Sequence, residues 1–303
     1  MIIIKPITIN DAVLTSSDVS EVDEAEYNPA TSYALNATVM RTTDTVHGIF
    51  ISLQAANVGN SPEDDDQTSP VFWSRISATN RWGMFSDQIN DQTEQSNVIT
   101  VALLPASLVN GMTFFNLEAQ TVNVTMNDPT EGEVYNVDFD LVADSGVNNW
   151  YLYYFEPILR QGTVAVLDLP PYIAATITVT ITNVGETAKC GLLSFGAQAQ
   201  LGLTNYSSGI GITDYSRKER DQFGNALIVQ RNFSKRADYS VTVATSYVGY
   251  VQNQLSQLRT VPLSWIGAEE YESTVIYGYF KDFSVVLSNP STSLLSIDVE
   301  GLT

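Results

Sequence analysis

Thr176-Ile177-Thr178-Val179-Thr180-Ile181-Thr182 alternates a polar β-branched residue with an apolar one at every step. A period of two sends all the apolar side chains to one face of an extended strand and all the threonines to the other. β-branched side chains are stiff at χ1 and suit a pleated, half-buried surface. The same alternation returns at Thr121–Met126 (T-V-N-V-T-M) and, over shorter spans, at Ser240–Val243 and Asp282–Leu287. Turn formers punctuate it at Asn127-Asp128-Pro129, Ser145-Gly146, Pro170-Pro171 and Asn289-Pro290. The best helical window is Tyr247–Arg259, with Val251, Leu255 and Leu258 on one face. Asp11–Leu14 reads as a short turn. The chain is therefore expected to be mainly β, its regularly spaced strands stacking as an antiparallel β-sandwich.

Charge narrows the partners. Residues 1–150 hold 21 acidic and 4 basic residues, net −17, and residues 151–303 hold 13 and 10, net −3. So acidic a surface excludes general nucleic-acid binding, which needs clustered Lys and Arg to neutralise phosphates. It likewise disfavours anionic membranes. Six of the fourteen basic residues lie close together, at Arg217, Lys218, Arg220, Arg231, Lys235 and Arg236. Two readings stand. The stretch is a subunit-interface patch that meets the acidic half of a neighbouring copy, or a solvated hairpin with internal pairs to Glu219, Asp221 and Asp238. One cysteine, Cys190, excludes an intramolecular disulfide framework. The opening Met-Ile-Ile-Ile-Lys-Pro is too short for a signal peptide, and no run reaches the roughly 20 apolar residues of a membrane helix. Synthesis in a reducing cytoplasm and no membrane insertion are expected.

Four regions are expected: an N-terminal arm (1–26), an aromatic module with linker (27–97), a β-sandwich (98–203) and a β-rich α+β region with one helix (204–303). In the arm, Ile2-Ile3-Ile4 followed by polar, acidic residues suits a strand that pairs with another subunit's sheet edge. Ser86–Asn97 reads as the linker. The module is marked by Tyr27, Tyr33, Val39, Phe50, Asn57, Pro62 and Trp73, rings spaced widely on short strands joined by Asn/Gly/Pro loops. That pattern resembles the small chitin-binding-type carbohydrate-binding modules, with two departures: Tyr27 replaces an opening Trp, and Asn36 replaces a Gly. The resemblance implies glycan-facing rings at Tyr27, Trp73 and Trp82; read from the residues alone, Tyr33 and Phe50 are core and Tyr27 and Trp73 are either core or sugar-facing. Stretches Asp214–Asn225, Ile228–Lys235 and Tyr277–Phe283 resemble tail proteins of tailed bacteriophages. That resemblance implies a virion setting (tail, neck or baseplate), usually as a symmetric ring of copies.

The residues of chemistry are sparse. His47 is the only histidine, which removes His-rich zinc sites and the His-Glu-x-x-His motif; it is a general base in principle and reads as structural. Cys190 reads as a small buried apolar residue. Asp138 with Asp140, and Glu131 with Glu133, are the carboxylate pairs a glycosidase would need, but such pairs arise easily in an acidic β protein. The run Glu63-Asp64-Asp65-Asp66 lacks the spaced pattern of a calcium loop and reads as surface. Trp150-Tyr151-Leu152-Tyr153-Tyr154-Phe155, taken as a strand, alternates rings to both faces and requires two covering layers or a neighbouring subunit. No catalytic residue, metal or cofactor is assigned. The expectation is a non-enzymatic structural component of a phage tail, collar or baseplate, in contact with copies of itself and other tail proteins. The alternative is a virion-borne protein that binds host-surface glycan.

Overall fold

The computed structural model describes residues 1–142, 149–155, 159–220 and 222–302. Ser145-Gly146, Asp221 and the side chains of Leu152 and Tyr153 lie outside the described residues. In chain order the strands are β1 (Ile2–Pro6), β2 (Leu14–Ser17), β3 (Thr38–Thr42), β4 (His47–Ser52), β5 (Trp73–Ala78), β6 (Thr93–Leu103), β7 (Gly111–Glu118), β8 (Thr121–Asp128) and β9 (Gly132–Asp140). Helix α1 (Trp150–Phe155) precedes β10 (Thr163–Val166), β11 (Thr176–Gln200), β12 (Leu203–Thr204), β13 (Gly209–Asp214), β14 (Arg217–Arg220), β15 (Ala226–Val229) and β16 (Phe233–Ala244). Helix α2 (Val248–Gln257), β17 (Leu263–Ile266), β18 (Val275–Val286) and β19 (Thr292–Gly301) complete the chain. The protein is mainly β, and the described strand pairs are antiparallel. Among the described residues no helix is long and apolar enough to cross a membrane.

The threonine-rich alternation becomes the first half of the 25-residue β11. Ile177, Val179 and Ile181 are fully buried. Each is flanked by apolar partners on both sides: Ile181 pairs with Val122 of β8 and Ile99 of β6, and Val179 with Val124 and Val101. The second half pairs with β7 and then with β1. β7 and β8 run one after the other along the same side of β11. Between the halves the register slips at Asn183–Thr187. Gly185 there has φ +83, a conformation that a Cβ would strain, and its N–H donates to Asn97 Oδ1 at 2.9 Å. This bulge bends the spine, and both halves join one core with Phe114, Leu193 and Phe195.

β1 corrects the expectation of an exchanged arm. It lies inside its own sheet, between β11 and β17. Ile3 and Ile4 point to opposite faces and are both fully buried, which is the environment of a central strand rather than an edge strand. Gly196 makes this close approach feasible, since a Cβ there would stand 1.9 Å from Lys5 O. The sheet therefore continues through β17, β18, β19 and β16, across residue 203. α2 covers its face, burying Val251 and Leu255 in a core with Tyr239, Trp265 and Ile297.

Two further expectations change. The segment Ser86–Asn97 is only partly a linker, because β6 starts at Thr93. Trp150–Phe155 is a helical turn, not a strand. It lies beyond the Val142–Arg160 bridge that closes the connection between β9 and β10, and among the described residues it pairs with no sheet. Rings four apart meet instead: Trp150 with Tyr154 at 6.4 Å and Tyr151 with Phe155 at 4.9 Å.

Candidate functional site: a closed module and an open arm

β3, β4 and β5 form a separate three-stranded sheet. Its core is Tyr27, Val39, Phe50 and Trp73, with Tyr33, Val46 and Phe72 packed against them. Tyr27 stacks on Tyr33 at 5.8 Å, and both meet Trp73 edge-on, at 5.8 and 5.2 Å. Such edge contacts suit the ring quadrupoles. The Trp73 indole N–H donates to Asn60 O at 2.8 Å. Trp73 is fully buried, Trp82 is 6% exposed and Tyr27 8%. This corrects the glycan-facing assignment, because none of the three offers a free ring face. So small a module has no other core to build, and its rings go inward.

The acidic run has a structural job. One Asp65 oxygen accepts the backbone N–H of Phe72 at 2.6 Å and of Trp73 at 2.7 Å, and the carboxylate also accepts Val71 N–H at 3.1 Å. Burial opposes its charge, but these donors outweigh burial and hold its pKa below the usual carboxylate range. Glu63 is bonded by both Nε and Nη2 of Arg41, which lowers its pKa. Asp66 accepts Thr68 Oγ1 at 2.7 Å and Thr68 N–H at 2.9 Å, with the same effect. Among the described residues no three His, Cys, Asp or Glu side chains are grouped to hold a metal ion.

His47 fixes the module to the body. Its Nδ1 lies 2.8 Å from Glu21 Oε1 and its Nε2 3.3 Å from Asp11 Oδ2. The ring stacks on Trp82 at 4.2 Å with planes 16° apart. Glu21 also accepts Thr79 Oγ1 at 2.8 Å. The histidine thus joins β4, the 11–21 strap and the turn that leads into β6. A cleft of about 490 Å³ follows this seam, with Asp44, His47, Arg75, Trp82 and Asp91 in its walls. Cys190 is fully buried, and burial drives its thiol pKa far up, so it is no nucleophile. Asp138 accepts Asn123 Nδ2 at 2.9 Å, Asp140 accepts Val142 N–H at 3.1 Å and Glu133 accepts Asn136 Nδ2 at 3.3 Å.

The basic residues occupy the opposite kind of place. β13 pairs with β16, and the chain then leaves the large sheet as the two-stranded hairpin β14–β15. Tyr215 holds its base, donating to Glu300 Oε1 at 2.7 Å. All eight strand residues of the hairpin are exposed. Phe223 at the turn is 81% exposed and Ile228 66%, while Ile212 and Phe233 at the base are 59% and 54%. Arg217 pairs with Glu219 at 2.7 Å and Lys218 with Asp214 at 2.5 Å. Exposed pairs of this kind contribute about 0–1 kcal/mol. Among the described residues Arg231, Lys235 and Arg236 have no ion-pair partner within 4 Å. Of the expected internal partners Glu219 is paired, Asp238 is in no ion pair among the described residues and Asp221 lies outside them, while Lys218 takes Asp214. Charge clustering marked the arm in the sequence. Its exposed apolar side chains escaped notice, because A-L-I-V in a strand also reads as core.

Four rings on α1 also face solvent: Trp150, Tyr151, Tyr154 and Phe155, each at least 70% exposed. A scan of the chain against protein-family models found no match, and neither did a search of curated proteins.

Proposed function

We propose that this chain is a non-enzymatic structural protein that assembles in multiple copies. The observation that carries the proposal is the projecting arm. An isolated two-stranded hairpin is marginal in water, and this one displays Phe223, Leu227, Ile228 and Val229 among arginines and a lysine. Exposed apolar side chains of that kind suit a contact site, and aromatic residues with Arg are enriched in protein interfaces. The tail-protein resemblance of Asp214–Asn225, Ile228–Lys235 and Tyr277–Phe283 supports a bacteriophage tail as the setting. There the protein holds neighbours in place and needs no catalytic group. Light scattering and sedimentation velocity on the whole chain test this. A defined multimer that loosens with added salt is expected, whereas a strict monomer at every concentration, alone and with other tail proteins, would overturn it.

A second reading has its own observation. The exposed, stacked rings of α1 suit the apolar face of a sugar, which makes host-surface glycan the alternative partner. Glycan-array binding that disappears in Trp150→Ala/Tyr154→Ala, with the multimer intact, would favour it.

A further inference from the structure

This inference rests on the assembly reading and names the surface that receives the arm. β7 and β8 follow each other along β11, so their outer partners β10 and β9 follow each other along one sheet margin. Among the described residues β9 pairs only with β8, and β10 only with β7. Both therefore present an open edge, the surface to which an added strand can pair. A groove of about 540 Å³ lies on this margin, with Asp138, Asp140, Asp168, Glu269, Glu270 and Glu272 in its walls and the buried Val164 and Val166 beneath. Among the described residues none of the six carboxylates is in an ion pair within 4 Å.

We propose that the arm of one copy docks in this groove on a second copy of the same chain. Charge selects the occupant. Residues 204–236 hold six basic and three acidic residues, net +3, and the rest of the chain carries −23. The arm leaves its own groove unfilled, because its hairpin residues are exposed. Docking would place Arg217, Arg220 and Arg231 opposite the carboxylates and cover Ile228, on one face of the hairpin, against the sheet margin. Arm and groove are different surfaces, so the contact either closes as a two-fold dimer by reciprocal exchange of arms or repeats into a ring or a filament.

Two charge-reversed proteins test it: an arm variant (Arg217→Glu/Arg220→Glu/Arg231→Glu) and a groove variant (Asp138→Lys/Asp140→Lys/Glu270→Lys). Every position is exposed, and circular dichroism confirms the fold of each. Each alone should associate at least about tenfold more weakly than the parent, because like charges now face each other. Mixing the two should restore the multimer, since each arm again meets a groove of opposite sign. A benzophenone side chain at position 223 should cross-link to peptides from 132–140 or 269–275 of another copy. If both variants assemble like the parent, or their mixture stays dissociated, the arm–groove contact is wrong and the assembly reading stands on some other surface. A parent that is always monomeric removes both.

Discussion

The aromatic module and the basic arm begin from similar materials, short strands with large apolar side chains and flanking charges, and end in opposite states. In the module Phe50 and Trp73 are 2% and 0% exposed, while in the arm Phe223 and Leu227 are 81% and 55%. The difference is the presence of something to cover the strands. The module has a third strand, and a loop clasped by Asp65 and by Glu63 to Arg41, which folds residues 53–72 over the rings. The hairpin β14–β15 has two strands, and all eight of their residues are exposed. Apolar residues become a core only when a second layer can reach them.

Truncating an apolar residue in each region should break the comparison most sharply. Trp73→Ala should cost the module about 3–5 kcal/mol. Hydrogen exchange would then show β3–β5 deprotected while β11 keeps its protection. Ile228→Ser in the arm should change folding stability by no more than about 0.5 kcal/mol, read as an unchanged melting temperature, yet should lower the solution mass. A module that survives the first change, or an arm that melts the body on the second, would reverse the contrast.

The clasp gives the next largest effect. Asp65→Ala orphans the amides of Val71, Phe72 and Trp73 and should cost about 2–3 kcal/mol, seen as a lower denaturation midpoint for Trp73 fluorescence. The pH dependence has the same sign. Glu63, Asp65 and Asp66 all titrate below their ordinary range in the folded module. Their stabilisation is complete above the unfolded carboxylate values near about 4 and is lost as pH falls through the lower folded ones. An acid titration from pH 7 to 2 should therefore destabilise the module. Asp65→Asn should open at higher pH than the parent. A smaller effect than the clasp's belongs to the seam: His47→Ala should cost about 1 kcal/mol, detected as faster proteolysis between the module and β6 with both regions still folded.

Much of the fold was legible because strand pattern is local. The alternation at 121–126 and 176–182 gave strands whose inward residues are those that the pattern named, and the 247–259 window gave α2 with Val251, Leu255 and Leu258 buried. The acidic run was visible as charge but not as a clasp, since its partners at 71–73 are backbone amides that any sequence supplies. Ile2–Pro6 could serve an edge or a centre, and only two strands distant in sequence, β11 and β17, made it a centre.

The sequence by itself determined the β periodicity, the scarcity of helix, the acidic body with its single basic stretch, and the want of histidine and cysteine partners. Each of these is a property of composition or of neighbours along the chain. Tertiary structure alone decided that Tyr27, Trp73 and Trp82 turn inward, that Trp150–Phe155 coils as a helix with rings outward, and that β9 and β10 share one open acidic margin. Those outcomes depend on which distant strand supplies the covering layer, and the energy of burial belongs to that meeting of surfaces rather than to either strand.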